Sequence, residues 1–307
     1  MVEGEGRIKV SAVLPWFVCL ILVLALIFVI VRHRGGESGI YETLIRENEI
    51  LSAMRLNLLR AAEAEKSAVL AVTDEESQKF ADQARLAADD VDKARKYLAP
   101  LIEQDNSALE ATRIGEFDRC WTEFRKLDRL ILDLAVQNTN LHAANLALTK
   151  GAQAVKHLER SLADLTATGL PDDGNGRGRI TRLSYQALVA GLKIHDLFAP
   201  HIDAETDEQM DEIEKDIEAD RKVLANSLDE LAGIVKGGEL DTVNEARAAN
   251  SELVKVTNEI ITLSRENTNI KSLELSLGKK RLITAQCDEI LSAFEELLRA
   301  RGSRATR

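Results

Sequence analysis

Apolar residues recur with a 3-4 spacing along most of the chain, and the longest such stripe runs from Phe117 to Leu162. One row takes Phe117, Phe124, Ile131, Asn138, Asn145 and Ala152. The other takes Cys120, Leu127, Leu134, Leu141, Leu148, Val155 and Leu162. Two interleaved rows, each seven residues apart, are the pattern of a long helix in a bundle or coiled coil. The register is interrupted at Gln137-Asn138-Thr139-Asn140, and the interruption returns as Glu266-Asn267-Thr268-Asn269, an offset of 129 residues (267 against 138). Leu253, Val256, Ile260, Leu263, Ile270 and Leu277 stand around the second copy where Phe124, Leu127, Ile131, Leu134, Leu141 and Leu148 stand around the first. The chain reads as a duplicated unit.

Shorter stripes fill the rest. Ile40, Leu44, Leu51, Met54, Leu58 and Ala61 predict a first helix over about Ser38 to Val72, and a second follows with Phe80, Ala84, Val91 and Leu98 on one face. Thr73-Asp-Glu-Glu76, Ser107-Ala-Leu-Glu110 and Thr206-Asp-Glu-Gln209 have the form of capping boxes, in which side chains satisfy the free amides of a helix start. The third helix is expected to run unbroken to about Thr168. Leu170 to Gly178 reads as a loop, Arg179 to Ala199 as a short fourth helix stopped by Pro200, and Gly237-Gly238 as the turn before a sixth helix, Leu240 to Ala300. The expected fold is all-α: six antiparallel helices in two stacked four-helix modules that share two long helices, with repeat one over 38–169 and repeat two over 179–300.

At the N-terminus, a short polar tail (1–11) precedes Ala12 to Val31, which is unbroken apolar sequence of the length that crosses a bilayer. It exceeds the apolar core of a cleaved signal peptide and has no small-x-small cleavage site after it, so an uncleaved transmembrane helix is expected. Arg7 and Lys9 balance Arg32 and Arg34 on its two sides, so charge does not set its orientation. Gly35-Gly36 reads as a hinge, and residues 301–307 as a basic tail.

Composition narrows the function. A formal net charge of −11 argues against a nucleic-acid partner. Low aromatic content (4 %) and four prolines fit long helices. Cys19, Cys120 and Cys287 have no metal spacing and read as small core residues, with no disulfide framework. His195-Asp196 lacks a second histidine motif. The acidic string from His201 to Glu208 suits a helix start, and Asp173 begins no calcium loop because Arg177 and Ser184 stand where ligands are needed. No constellation supports an enzyme, a metal or a cofactor. Arg55 and Arg60 beside the first stripe, and Arg182 early in helix four, are the candidates for a carboxylate ligand. Asn138 and Asn267 read as a core polar layer. If the layer sets register, Asn138→Leu is expected to raise stability; if it lines a cavity, the change is expected to abolish binding.

An N-terminal anchor followed directly by an antiparallel helical bundle resembles the sensor domain of methyl-accepting chemotaxis receptors, and the duplicated six-helix form resembles its helical bimodular version. The stretch FDRCWTEFRKLDRLILDLAVQNTNLHAANLAL, Phe117 to Leu148, is most similar to such domains. The resemblance implies a protein of the cytoplasmic membrane with a periplasmic or extracellular bundle, a second membrane helix and a cytoplasmic signalling half. This sequence departs from the last two, with one apolar run, so a single-pass protein is expected. It also implies a homodimer, a small organic-acid or amino-acid ligand, and a signalling partner protein, since no output domain follows the bundle in this sequence. The alternative class is a membrane-tethered coiled-coil spacer or adaptor with no small-molecule ligand.

Overall fold

The computed structural model describes the backbone of residues 14–105, 107–167 and 176–305, and the side chains of residues 42–104, 107–167 and 176–303. The apolar run Ala12 to Val31, Cys19 and most of the loop after Leu170 lie outside the residues whose side chains are described. Among the described residues no helix is long and apolar enough to cross a membrane.

The described chain is all helix, without strand. The elements are α1 (Leu14–Val69), α2 (Asp74–Asp105), α3 (Ala108–Ala135), α4 (Thr139–Leu146), α5 (Ala152–Ala167), α6 (Gly176–Asp196), α7 (Phe198–Ile202), α8 (Asp207–Ile234), α9 (Gly238–Glu266), α10 (Thr268–Leu275) and α11 (Arg281–Ala305). The π-helical turn Ala147–Gly151 joins α4 to α5, and Ser276–Lys280 joins α10 to α11. Counted across these joints and across the breaks at Asn138, Leu197 and Asn267, the described residues make six helical arms.

Local chemistry accounts for the starts. Thr206 makes a complete capping box: its hydroxyl accepts from the Gln209 amide, and the Gln209 side chain accepts from the Thr206 amide. Thr73 accepts from the Glu76 amide at 3.2 Å, and Ser107 from the Glu110 amide at 3.4 Å. The Glu110 carboxylate does not turn back, however, but accepts from Arg301 at 2.8 Å.

Several expectations are corrected. Backbone helix continues through Gly35-Gly36, and Gly176 to Gly178 already belong to α6. Pro200 does not end its arm. The chain bends at Leu197, and Pro200 then sits in the first turn of α7, where a missing amide hydrogen costs no hydrogen bond. Both long helices are broken, at Asn138 and at Asn267. From each break through the π turn after it the buried positions slip out of the sequence stripe, and beyond the first π turn Val155 and Leu162 are buried on the stripe again. Leu148 is 76 % exposed and Leu277 54 %. A π turn inserts one extra residue per turn and rotates everything after it.

The described chain divides into two compact units. The first contains α1 up to Ala61, α2 from Leu86, α3 to Glu123 and α11 from Ile283. Its core is Leu51, Met54, Leu58, Leu98, Phe117 and Phe294, all essentially buried. Each such side chain contributes roughly 1.5–3 kcal/mol by leaving water. Cys120 and Cys287 close a disulfide here, with Cα atoms 5.8 Å apart. Reading them as unpaired core residues is therefore corrected: burial was right, pairing was missed. The second unit, Ala62–Arg85 with Phe124–Leu282, has a larger core built on Leu158, Ile194, Phe198, Leu224, Leu253 and Ile260. Gly191 lets α6 approach α5 closely, since a Cβ there would lie 2.6 Å from Leu158 Cδ2.

Candidate functional site

The densest polar network within the second unit lies at the two helix breaks. Asn138 (φ 50°) and Asn267 (φ 54°) are the positive-φ residues other than glycine among the described residues. Asparagine tolerates the left-handed region better than other side chains with a Cβ. Each break starts a new helix, α4 or α10, whose first amides have no partner within their own helix. The two starts satisfy each other. The Thr139 amide donates to Thr268 Oγ1 and the Thr268 amide to Thr139 Oγ1, both at 3.2 Å. The Asn140 amide donates to Asn269 Oδ1 at 3.1 Å, and the Asn269 amide to Asn140 Oδ1 at 3.3 Å.

The side-chain amides complete the arrangement. Asn140 Nδ2 donates to Asn267 Oδ1 and to the Ile202 carbonyl, and Asn269 Nδ2 donates to Asn138 Oδ1. Asn138 Nδ2 donates to Asp74, whereas Asn267 Nδ2 donates to the Ala204 carbonyl. Local symmetry therefore holds in the centre and fails at the rim. Hydrogen bonds from His142, then Asn138, hold the Asp74 carboxyl below the usual range. Asn138 and Asn267 are buried, not as core rungs of continuous helices but as the left-handed residues before α4 and α10. Their side chains bond to Asn269 and Asn140, while the reciprocal caps are made by Thr139, Asn140, Thr268 and Asn269.

The π turns repeat with the same offset as the breaks. The first turn faces inward with Ala147 and Gly151, the second with Ser276 and Lys280. Lys280 is 1 % exposed and donates to Asp128, equally buried, while its ammonium lies 3.6 Å from the Phe124 ring centroid. Burial pulls the Lys280 pKa down, against the pull of Asp128.

A second buried network joins α7, α8 and α9. Ser264 Oγ lies 2.6 Å from His201 Nδ1, His201 Nε2 lies 2.9 Å from Glu214 Oε1, and Arg265 Nε donates to the same carboxylate at 2.8 Å. The order serine, imidazole, carboxylate is that of a hydrolase triad. Ser264 is nonetheless fully buried, and its hydroxyl lies 2.9 Å from the Ile260 carbonyl. This is a structural clamp.

The candidate arginines take three separate positions. Arg55, in the first unit, forks onto Asp288 (2.6 and 3.1 Å) and reaches Glu295 at 3.5 Å. Arg60 is exposed and donates to Asn57 at 3.4 Å. Five residues apart on one helix, Arg55 and Arg60 point about 140° away from each other. Arg182, in the second unit, is exposed. Surface grooves lie elsewhere, one of them between α5 and α9 beside His157, Arg160, Glu245 and Glu252.

Sequence reasoning located Asn138 and Asn267 through their repetition. It missed Thr139, Asn140, Thr268 and Asn269, for which the second half of each repeated tetrapeptide was the signal, and Lys280, Asp128 and Glu65, for which that repeat held none. No protein-family model matches the chain, and no curated protein matches it.

Proposed function

We propose that the chain is a membrane-anchored sensor domain of the chemoreceptor type. Its bundle takes a small molecule of the organic-acid or amino-acid class and passes helix shifts to a signalling partner. In this reading Ala12 to Val31 is a single-pass helix of the cytoplasmic membrane, two four-helix modules stack on shared long helices, and the protein works as a homodimer. The observation that carries it is the matched pair of helix breaks. A spacer needs only uninterrupted helices. Two long arms broken at equivalent points, cross-capped there and followed by π turns, provide joints at which a helix can be displaced in discrete steps. The Cys120–Cys287 disulfide supports a bundle on the oxidising side of the membrane, where such bonds persist.

One observation favours the spacer or adaptor reading: Arg55, the best-placed candidate for a carboxylate ligand, is already forked onto Asp288. A thermal-shift screen of organic acids and amino acids on the full chain decides. A ligand that binds only the folded state stabilises it by about 2.7 kcal/mol at a hundredfold excess over Kd. A hit is expected for the sensor. No hit, together with tight capture of a helical partner, establishes the spacer.

A further inference from the structure

The two repeats carry one joint in two chemistries. In the first π turn Gly151 lies against the Phe198 ring, where a Cβ would meet Cε2 at 3.0 Å. In the second, Ser276 and Lys280 take the places of Ala147 and Gly151, and both are buried among charges. Lys280 is held by Asp128 and the Phe124 ring. From α1, Glu65 enters the same cluster. It is 0 % exposed, and neither of its carboxyl oxygens has a hydrogen-bond partner. The Ser276 hydroxyl stands beside it without closing a bond of good geometry.

Charge arithmetic fixes the resting state. Lys280 is one cation between two carboxylates. With Asp128 already paired, an ionised Glu65 would leave a net negative charge in a dry site, and proteins avoid that by neutralising the group. Burial pushes the Glu65 carboxyl up, and Asp128 adds to the effect, while Ser276 and Lys280 oppose it. Two other charged groups face the cluster: Lys66, exposed on the same helix, acts on Glu65, and half-buried Arg125 of α3 acts on Lys280. Both act more weakly than the buried groups.

We propose that Glu65 is a buried proton-binding site that couples pH to the second joint. With the proton bound, Lys280 stays seated on Asp128 and Phe124. When the proton leaves for water, the new carboxylate draws the ammonium towards α1 and loosens the turn Ser276–Lys280. The Glu65 O–H is the one covalent bond broken; the Lys280 contact with Asp128 weakens as that with Glu65 forms. This coupling needs only the placement of Glu65, Asp128, Ser276 and Lys280, whether or not the bundle takes a small-molecule ligand. Because the folded pKa of Glu65 is raised, its contribution to stability is complete below the unfolded carboxylate value and is lost as pH rises through the folded one.

Amide hydrogen exchange on the full chain tests the proposal, with Ala147–Gly151 as the internal control. After correction for intrinsic rates, protection of Ser276–Lys280 is expected to fall severalfold from mildly acidic to mildly alkaline pH, in the direction that a raised carboxyl dictates. Ala147–Gly151 is expected to stay constant. Glu65→Gln keeps the neutral shape and is expected to abolish the fall. Equal responses in the two turns, no response in either, or an undiminished response in Glu65→Gln overturns the proposal. If Glu65→Gln does not fold, the comparison of the two turns in the unaltered chain decides.

Discussion

Thr139 and Thr268 cap each other's helices. Each amide donates to the other's hydroxyl oxygen at 3.2 Å, and the two hydroxyls lie 3.2 Å apart. Thr139→Val keeps the shape and removes one acceptor, which strands the buried Thr268 amide. That costs about 1–3 kcal/mol. Thr268→Val is expected to cost the same. The double variant should cost less than the sum, because both changes dismantle one contact. Urea denaturation of the four proteins measures it. Additive losses would mean that the two caps are independent.

Asn138→Leu reverses direction once its geometry is known. An apolar residue in a polar layer of a continuous helix can raise stability. Here Leu would have to adopt a φ near 50° and would break the bonds to Asp74 and Asn269. The left-handed cost and the lost hydrogen bonds together predict destabilisation of about 2 kcal/mol or more. Asn138→Gly removes the first cost and keeps the second, so it should fall between Leu and the natural chain. Denaturation midpoints give the order.

The sequence stripes found the helical arms because apolar spacing survives wherever a helix is regular. Phe117, Phe124 and Ile131 are buried as that spacing requires. The stripes failed from Asn138 through the π turn, where Leu148 is exposed, and hold again at Val155 and Leu162. Left-handed backbone has no hydrophobic signature, and a buried asparagine looks the same in a helix and in a break. The π turns were equally silent. Leu148 and Leu277 stand in the stripe yet are exposed, whereas Lys280, outside it, is buried. The disulfide escaped because its halves stand 167 residues apart, and that spacing names no partner.

Cys120 and Cys287 should be oxidised in the protein isolated from its source. Thiol labelling is expected to leave both unmodified until a reductant is added. Replacing both with alanine should cost about 2–5 kcal/mol, because the crosslink closes a long loop. Labelling of both cysteines without reductant would place the bundle in a reducing compartment and remove the support for an external domain.

The pair Lys280 and Asp128 separates the cost of a broken ion pair from the worth of an intact one. Lys280→Met leaves Asp128 buried without its cation and should destabilise by about 3–5 kcal/mol. Adding Asp128→Leu removes the stranded charge, and most of that loss should be recovered. Calorimetry of the two variants is the check. A double variant as unstable as Lys280→Met would mean that the pair itself, and not the avoidance of a lone charge, holds the joint.

Glu214 gives the acid side of the stability profile. Burial alone would push its carboxyl up, but Arg265 and His201 outweigh burial and hold it below the usual range. A depressed folded pKa contributes stability that is present above the unfolded carboxylate value and lost as pH falls through the folded one. The clamp of α7, α8 and α9 should therefore weaken in acid, in the sense opposite to Glu65, which gains there. The carboxylate is nearly a third exposed, so solvent screens the effect and it should be modest. Glu214→Gln is expected to lower stability at neutral pH and to flatten the acid limb of melting temperature against pH. If the acid limb keeps its slope in Glu214→Gln, the loss in acid belongs to other carboxylates, with Asp74 beside His142 the first to test by Asp74→Asn.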